Sequence, residues 1–402
     1  MNQYSNRIIL KENTKSMCPE CYQIISAQIY EVDGKVYMDK KCSKHGKFNC
    51  LIEKDSYVYK RLMDQEHSTE KVLFKSIAIN VTHACNLNCA ICYLPNRKQP
   101  NMPLEKIKQI ISQFSGPEIR ISGGEPTIRE DLPAIIKFIC DIGKKPFILT
   151  NGLKLADRKY LRKLKDAGLR VVHFSFNGFT NDVSTRISGQ PLTKVKLKAL
   201  RNLKKENMQV VMSMMLEKGV NEKEVEKIYH FCLKNTRFIH QLRLRTVVSI
   251  GKYREGFQKI YISDLINIIG RVIKIGKEDI IDHALSLPKR FQRPCCGVTI
   301  DLLRLLLKVK GFRQTKNPFK KIRIIVFSLM PKIGLFNGFN LFLDLIRKKR
   351  KFSSRLFIHA RLWHDKYTMD VDEFRRCPSA YFNDIDGKIY PFCYGIAVKD
   401  KK

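Results

Sequence analysis

The sequence predicts an α/β protein whose centre is a partial (β/α)6 barrel of the TIM type. Three observations support this fold class. Six short apolar strands alternate with amphipathic helices between residues 71 and 255. Glycine-rich and polar motifs follow several of these strands, where parallel barrels place their functional groups. Hydrophobic residues make up 44% of 402 residues, which is enough for a sizeable core.

The six βα units are placed by apolar periodicity and by signals at helix ends. Pro103 suits a first helical turn, Gly168 suits a helix end, and Asn221 is predicted to cap the helix that follows it. The predicted strands cover residues 76–82, 118–122, 146–150, 171–176, 209–215 and 242–248. The predicted helices cover residues 103–114, 132–142, 157–167, 192–206, 221–233 and, where the alternation has faded, 262–275.

Three domains are predicted. Residues 1–70 form a ribbon-like metal-binding domain, residues 71–255 the barrel, and residues 256–402 a C-terminal extension. Within the extension, residues 301–351 alternate leucine- and isoleucine-rich runs with lysine and arginine. This composition is typical of basic amphipathic segments on anionic membranes, and equally of a buried helical subdomain with a solvated basic face. No run reaches the roughly 20 apolar residues needed to span a bilayer.

A tetrahedral metal site is predicted in residues 1–70. Residues 24–38 alternate in character and turn at Asp33-Gly34, which indicates a β-hairpin between two cysteine-containing loops. Three sulfurs and one nitrogen would suit zinc, and four sulfurs would suit zinc or a mononuclear iron. The candidate ligands are Cys18, Cys21, Cys42 and either His45 or Cys50.

The chain is strongly basic, with 75 Lys and Arg against 38 Asp and Glu and a formal charge of +37. Such a surface favours polyanions: nucleic acid, an anionic membrane face or phosphorylated substrates. A generally lysine-rich proteome is the alternative explanation. The first residues lack the apolar run of a signal peptide. Of the 13 cysteines, several have the sequence spacing that is typical of metal ligands. We therefore expect a cytoplasmic protein, with peripheral contact at the inner membrane face as an open alternative.

The most informative stretch is a trio of cysteines, Cys85, Cys89 and Cys92, directly after the first predicted barrel strand. Spacings of four and three residues on a tight loop can place three thiolates around one face of a [4Fe–4S] cubane, which normally takes four. One iron would then stay open for a small ligand. Buried structural cysteines and a zinc site are the alternatives.

This CxxxCxxC motif resembles that of the radical S-adenosylmethionine (SAM) superfamily. The resemblance implies that the open iron binds the amino and carboxylate groups of SAM, and that an electron from the cluster releases a 5′-deoxyadenosyl radical. It also implies that a GGEP motif at the end of the second strand contacts the methionine moiety. The corresponding residues here are Gly123, Gly124, Glu125 and Pro126, with Asn151, Ser175 and Asn177 as candidates near the ribose. No catalytic residue is assigned beyond the cluster.

A second, auxiliary [4Fe–4S] cluster is predicted in the extension. Residues 383–390 read as a hairpin with an Asp-Gly turn, which resembles the cysteine-bearing hairpin of radical enzymes that carry such a cluster. Free cysteines and zinc are the alternatives, and adjacent cysteines rarely both ligate one group. The four candidate ligands are Cys295, Cys296, Cys377 and Cys393.

The whole layout resembles an archaeal group that includes tetraether lipid synthase and dihydropterin methylase-like proteins, over nearly all of residues 14–398. The resemblance implies hydrogen abstraction from an unactivated C–H bond, either in a lipid chain that undergoes C–C coupling or in a pterin-like heterocycle that is methylated. A peptide-modifying enzyme is a further alternative. An electron donor such as ferredoxin or flavodoxin is implied. A non-enzymatic, metal-containing nucleic-acid binder is a remote alternative. The CxxxCxxC and GGEP motifs argue against it, because such a protein would need neither of them.

Overall fold

The computed structural model describes residues 7–63, 73–94, 97–252, 258–288, 296–309 and 355–399, together with Thr315, Asn317 and Arg323. Cys295 and most of the segment 301–351 lie outside the described residues. Within these ranges, no helix is both long enough and apolar enough to cross a membrane.

The N-terminal unit is an antiparallel sheet followed by a short helix. The turn between its second and third strands uses Asp33 and Gly34 at φ of 49° and 73°, where glycine and aspartate are tolerated, and this confirms the predicted hairpin. The first strand was not predicted. In the described chain, its elements in spatial order are β1 (Ile8–Met17), β2 (Ile24–Val32), β3 (Lys35–Cys42), β4 (Gly46–Glu53), and then helix α1 (Ser56–Met63).

Six parallel strands form the centre of the molecule, and each pairs with the next in the chain. Their bounds agree with the predicted strands to within about three residues, which confirms the fold class. They are rich in β-branched and other apolar residues, as strands covered on both faces require. The strands are β5 (Ser76–Thr82), β6 (Glu118–Gly123), β7 (Lys145–Thr150), β8 (Val171–Ser175), β9 (Gln209–Leu216) and β10 (Ile239–Thr246).

Amphipathic helices bury their apolar faces in a core shared with the outer side of these strands. In α3, for example, Ile135, Ile136 and Ile139 are fully buried. The helices are α2 (Leu104–Gln113), α3 (Leu132–Asp141), α4 (Arg158–Asp166), α6 (Thr193–Lys205), α7 (Glu224–Lys234), α8 (Ile262–Ile273) and α9 (Lys277–Ser286). A further helix, α5 (Asn181–Ser188), follows β8 and buries Val183 and Ile187 outside this core.

The predicted helix cap at Asn221 is wrong. Helix α7 begins at Glu224, and its first turn has no side-chain cap. The buried Asn221 amide instead donates to the carbonyls of Asn177 and Met215, at 3.0 and 2.8 Å. Its oxygen accepts from the backbone of Glu217 at 2.9 Å. Asn221 therefore ties the ends of two barrel strands together, because these contacts satisfy more buried backbone groups than a cap would.

The C-terminal third continues the same sheet, which the fading βα alternation did not indicate. Strand β12 pairs in parallel with β10 and strand β13 pairs in parallel with β5, so each flanks one side of the six central strands. The boundary predicted near residue 255 therefore does not separate two sheets. The added elements are β11 (Gly297–Asp301), α10 (Leu302–Val309), β12 (Phe357–Arg361), β13 (Ser379–Phe382), β14 (Ile389–Pro391) and α11 (Phe392–Lys399).

Helix α10 contains the first leucine-rich run of the segment 301–351. Its leucines are almost completely buried in the main core, while Lys308 is exposed. For residues 302–308, this burial agrees with the helical-subdomain interpretation, because the described leucines face the core. The buried leucines are Leu302, Leu303, Leu305, Leu306 and Leu307.

The contact between β5 and β13 depends on a buried hydrogen bond, in which Asn80 Nδ2 donates to the hydroxyl of Tyr381 at 2.7 Å. We predict that Tyr381→Phe lowers the free energy of unfolding by about 1–2 kcal/mol, because it leaves a buried amide without this acceptor. Tyr57→Phe, at an exposed position of α1, is the control. Urea denaturation checks this, and equal midpoints for the two variants would contradict it.

Candidate functional site

Four side chains of the N-terminal unit converge on one point. Cys18 Sγ and Cys42 Sγ lie 3.7 and 3.5 Å from His45 Nδ1, and Cys21 Sγ lies 3.8 Å from Cys42 Sγ. A tetrahedral zinc with bonds of about 2.3 Å to sulfur and about 2.0 Å to nitrogen separates two sulfurs by about 3.8 Å and sulfur from nitrogen by about 3.5 Å. The four groups therefore fit a zinc ion as they stand.

Cys50 lies away from this point. It is a half-buried residue in the middle of β4, opposite Met38, and burial raises the pKa of its thiol. By contrast, hydrogen bonds from His45 and from the Lys44 backbone lower the pKa of Cys42 to about 6, which favours the metal-binding thiolate. Of the two alternatives for the fourth ligand, the structure brings His45 to the site.

Cys85, Cys89 and Cys92 lie on the loop between β5 and α2, and all three are half-buried. Among the described residues, the ribbon site is the one group of three or more His, Cys, Asp or Glu whose ligand atoms all lie within 4.8 Å of one another. The three loop sulfurs are thus spread more widely than a single zinc ion allows. A cubane takes each thiolate on a separate iron, so it does not require the three sulfurs to lie as close together as one ion does.

The loop is fixed by a segment after β10 that sequence reasoning missed. The backbone N–H of Lys252 donates to the carbonyl of Cys92 at 2.9 Å, and its ammonium donates to the side chain of Asn88. Gly251 has a φ of +71°, and a Cβ there would lie 2.4 Å from the Cys92 oxygen. Only glycine allows the two backbones to approach this closely. The sequence signal was the glycine just past the sixth strand.

The glycines of the GGEP motif make a second close contact with the cysteine loop. The N–H of Gly124 donates to the Thr82 carbonyl at 2.8 Å, and that of Glu125 donates to the Ala84 carbonyl at 2.9 Å. A Cβ on Gly123 would lie 2.1 Å from the Thr82 oxygen, and one on Gly124 would lie 2.1 Å from the Ala84 oxygen. The motif therefore positions the cysteine loop directly through backbone contacts.

The side chain of Glu125 accepts hydrogen bonds from other groups of the protein. Its buried carboxylate accepts from Thr127 N and Oγ1 at 3.1 and 2.6 Å, from Thr150 Oγ1 at 2.6 Å and from Asn151 N at 2.7 Å. Burial raises the pKa of Glu125, and these hydrogen bonds oppose the shift. Pro126 opens a 3₁₀ turn that continues the motif. Glu125 thus acts as a positioning residue that joins the ends of β6 and β7.

The predicted ribose-side residues fall at strand ends near this loop. Asn151 donates from Nδ2 to the side chain of Asn86 in the cysteine loop at 2.8 Å, so it faces the cofactor region. Ser175 ends β8 and is half-buried. Asn177 is buried, and its side-chain oxygen accepts from Met215 N at 2.9 Å. The structure thus gives Asn177 a bond within the protein, while Asn151 and Ser175 remain accessible.

Two cations beside the loop were also missed. The buried ammonium of Lys196, on α6, donates to the Ser175 carbonyl at 2.8 Å. Burial lowers its pKa to about 8, and the nearby Cys89 and Glu125 oppose this shift. Arg97 donates to the Leu87 carbonyl. Both cations would stabilise negative charge on the loop thiolates, but neither carries a sequence signal in so basic a chain.

The candidate auxiliary ligands are partly brought together. Cys296, Cys377 and Cys393 line one cavity inside the barrel, and the sulfur of Cys377 lies 3.4 Å from the carbonyl oxygen of Ser379. The predicted hairpin is confirmed by the antiparallel pairing of β13 and β14, and Cys393 follows it as the second residue of α11. Three thiols around one space fit an iron–sulfur cluster as donors, although Cys295 lies outside the described residues.

Residues 79–232 match the family model of the radical SAM superfamily, and residues 10–54 match that of the HMPTM N-terminal zinc ribbon domain. The chain therefore carries a radical SAM domain preceded by a zinc ribbon, which confirms the superfamily resemblance. Radical SAM domains imply a [4Fe–4S] cluster and SAM as cofactors, which the cysteine loop and the strand ends described above fit.

The chain is also similar to individual proteins of known name. The chain is similar to 7,8-dihydro-6-hydroxymethylpterin dimethyltransferase of Methanocaldococcus jannaschii, with 31% identity over 61% of this chain and 55% of that protein. It is similar to GTP 3′,8-cyclase of Tolumonas auensis, with 30% identity over 48% of this chain and 59% of that protein. The chain thus spans about half the length of these relatives. A solved structure of Streptococcus suis SuiB bound to precursor peptide SuiA covers 66% of this chain and 69% of its own, with 13% identity and a TM-score of 0.45.

We predict that His45→Ala abolishes stoichiometric zinc binding while Cys50→Ser retains one zinc per chain, because only the former removes a group from the tetrahedral set. Metal analysis of the purified variants measures this. Loss of zinc from Cys50→Ser with retention in His45→Ala would reverse the assignment.

We predict that Gly124→Ala prevents iron incorporation at the cysteine loop, because the added Cβ would collide with the Ala84 carbonyl. Gly143→Ala is the matched control: Gly143 has a φ of +75°, so alanine is strained, but its Cβ meets no atom within 4 Å. Iron and zinc are counted after anaerobic reconstitution. Wild-type iron content in Gly124→Ala would contradict the proposed positioning role, whereas unchanged zinc shows that the N-terminal ribbon has folded.

Proposed function

We propose that this protein is a radical SAM enzyme that abstracts hydrogen from an unactivated C–H bond of a small, pterin-like heterocycle and directs its methylation. The observation that supports this most strongly is the cysteine loop, held by backbone contacts to the GGEP turn. A cluster held by Cys85, Cys89 and Cys92 would pass one electron from a donor such as ferredoxin or flavodoxin to SAM, giving methionine and a 5′-deoxyadenosyl radical that takes the substrate hydrogen. A second SAM would then supply the methyl group as a cation, and a second electron from the donor would complete the new C–C bond and leave S-adenosylhomocysteine.

The residues of the chain have separate roles in this proposal. Cys85, Cys89 and Cys92 hold the cluster, and Lys196 places a positive charge beside it. Asn151 and Ser175 orient SAM at the ends of β7 and β8. Cys296, Cys377 and Cys393, with Cys295, are proposed to hold the auxiliary cluster at the opposite side of the barrel space.

The size of the barrel cavity favours a heterocycle over a lipid pair. Its volume is about 510 Å³, within the range of roughly 300–1,000 Å³ that is typical of small-molecule sites. The relative with 31% identity is named as a dimethyltransferase of a dihydropterin. The lipid hypothesis depended on the apolar, basic segment 301–351, and in the described residues 301–309 the leucines are buried in the core. We therefore place lipid C–C coupling second.

We predict that the reconstituted, reduced protein forms 5′-deoxyadenosine from SAM, and that Cys89→Ala reduces this at least a hundredfold because the cluster loses a thiolate. Cys140→Ala, on helix α3 outside the loop, is the control. Chromatography of the products measures the reaction. Unchanged 5′-deoxyadenosine formation in Cys89→Ala would refute the proposed chemistry.

The substrate class is tested with 7,8-dihydro-6-hydroxymethylpterin and SAM labelled in its methyl group. Label recovered in the pterin supports methylation. Label recovered instead in added archaeal lipid extract, or lipid-dependent consumption of SAM without pterin labelling, would favour the second candidate.

A further inference from the structure

The inner face of β10 is unusually charged. In the sequence Gln241-Leu242-Arg243-Leu244-Arg245, alternate side chains point to opposite faces of the sheet. Leu242 and Leu244 are buried in the outer core. Gln241, Arg243 and Arg245 line the cavity inside the barrel. The strand thus directs its apolar face outward and two arginines into the barrel. This arrangement destabilises the fold, because apolar side chains usually fill the interior of a barrel.

Neighbouring strands add more positive charge to the same cavity. Arg361 of β12 is the direct cross-strand partner of Arg245, and His359 is the partner of Arg243. Arg120 of β6 also lines the cavity. Among the described lining residues, the ionised side chains comprise five cations and one carboxylate. These are Lys75, Arg120, Arg243, Arg245 and Arg361 against Glu118.

Arg120 Nη2 lies 3.7 Å from a carboxylate oxygen of Glu118, whereas Arg243 and Arg245 of β10 have no such pair in the described part of the chain. Arg243 Nη1 lies 3.4 Å from His173 Nδ1, and the amide oxygen of Gln241, in its hydrogen-bonding orientation, lies 3.0 and 3.2 Å from two of its nitrogens. Among the described residues, no carboxylate forms an ion pair with Arg243 or Arg245. Burial, reinforced by Arg245 and the other arginines, lowers the pKa of Arg243. Like charges held together out of water destabilise a fold unless an anion joins them.

Apart from the three candidate cluster cysteines and a few serines and histidines, the remaining wall of the cavity is apolar. The guanidinium of Arg245 lies 5.5 Å from the ring centre of Trp363, and Phe147, Leu149 and Phe392 complete this wall. A ligand that fits must therefore combine a concentrated negative charge with a flat or apolar part. Guanidinium groups bind phosphate oxygens in pairs, which suits a phosphate better than a single carboxylate.

We propose that the arginines on β6, β10 and β12 form a subsite for a phosphate or diphosphate group of the substrate. This assignment deepens the proposed function and rests on it, because it makes the substrate of the barrel a phosphorylated heterocycle. The phosphoryl oxygens lie against Arg243 and Arg245, and the ring lies toward Trp363. Phosphate monoester and diphosphate share this chemistry, and the experiment separates them.

The test measures binding of inorganic pyrophosphate and of inorganic phosphate to the anaerobically prepared, cluster-loaded full chain by calorimetry. Roughly 150 mM salt screens exposed charges over about 8 Å, so the basic surface contributes little. The test variant is Arg243→Gln/Arg245→Gln. The matched control is Arg201→Gln/Arg271→Gln, which removes the same charge from exposed positions on α6 and α8. Arg245→Lys keeps the charge but not the paired geometry.

We expect the test variant to bind pyrophosphate at least tenfold more weakly, Arg245→Lys to be intermediate, and the control to match the wild type. We also expect the unliganded test variant to melt at the same or a higher temperature, because like charges have been removed. Stronger binding of pyrophosphate than of phosphate assigns a diphosphate, and the reverse a monoester.

Equal pyrophosphate affinity in the test variant and the control overturns the proposal. A test variant that loses iron and melts earlier also overturns it, because the arginines would then serve the anionic auxiliary cluster. Formation of 5′-deoxyadenosine is measured on the same samples. Its absence in the wild type refutes the proposed function while leaving the pyrophosphate result intact, so the two failures are distinguishable.

Discussion

The site depends on two backbone hydrogen bonds, from Gly124 to Thr82 and from Glu125 to Ala84. They hold the turn after β6 against the start of the cysteine loop, at a distance that only glycine permits. The buried carboxylate of Glu125 then extends the contact to Thr150 at the end of β7. Three successive strand ends are thereby locked together, so the cysteine loop and the polar strand ends that face it share one rigid support. A cofactor that bridges them meets a preorganised surface.

Much of this arrangement was accessible from sequence, because its determinants are local. The cysteine spacing, the Gly-Gly pair and the six strands each follow from short-range periodicity or from the chemistry of a few neighbouring residues. The pairing of β12 and β13 with the barrel strands was not predicted, because it joins residues more than a hundred positions apart in the chain. Asn221 was misassigned for a related reason: tertiary contacts compete with local capping, and the outcome is not encoded in the segment itself.

The arginines of the barrel interior show a different limit of prediction from sequence, which concerns the face of the sheet to which a side chain points. The alternation Leu242-Arg243-Leu244-Arg245 is a good strand signal, and a strand in a soluble antiparallel sheet would direct the arginines to solvent. Their inward direction follows only once helices are known to cover the leucine face. Placing Arg245 beside Arg361 in a confined space opposes folding. Residues that oppose folding where apolar side chains would stabilise it are expected at functional sites, and this is why the interior charge points to a ligand.

The zinc ribbon acts on the same cavity from outside. Buried Lys40 of β3 donates to the carbonyls of Lys366 and Tyr367 at 2.8 and 2.9 Å, and Thr14 of β1 donates to Asp370 at 2.6 Å. This part of the chain lies between Trp363 and Cys377, two groups of the cavity wall. Because a tetrahedral metal fixes the ends of the ribbon strands, it also fixes the surface on which this segment rests. A metal held by the ribbon would therefore support the segment between Trp363 and Cys377, and through it one wall of the cavity.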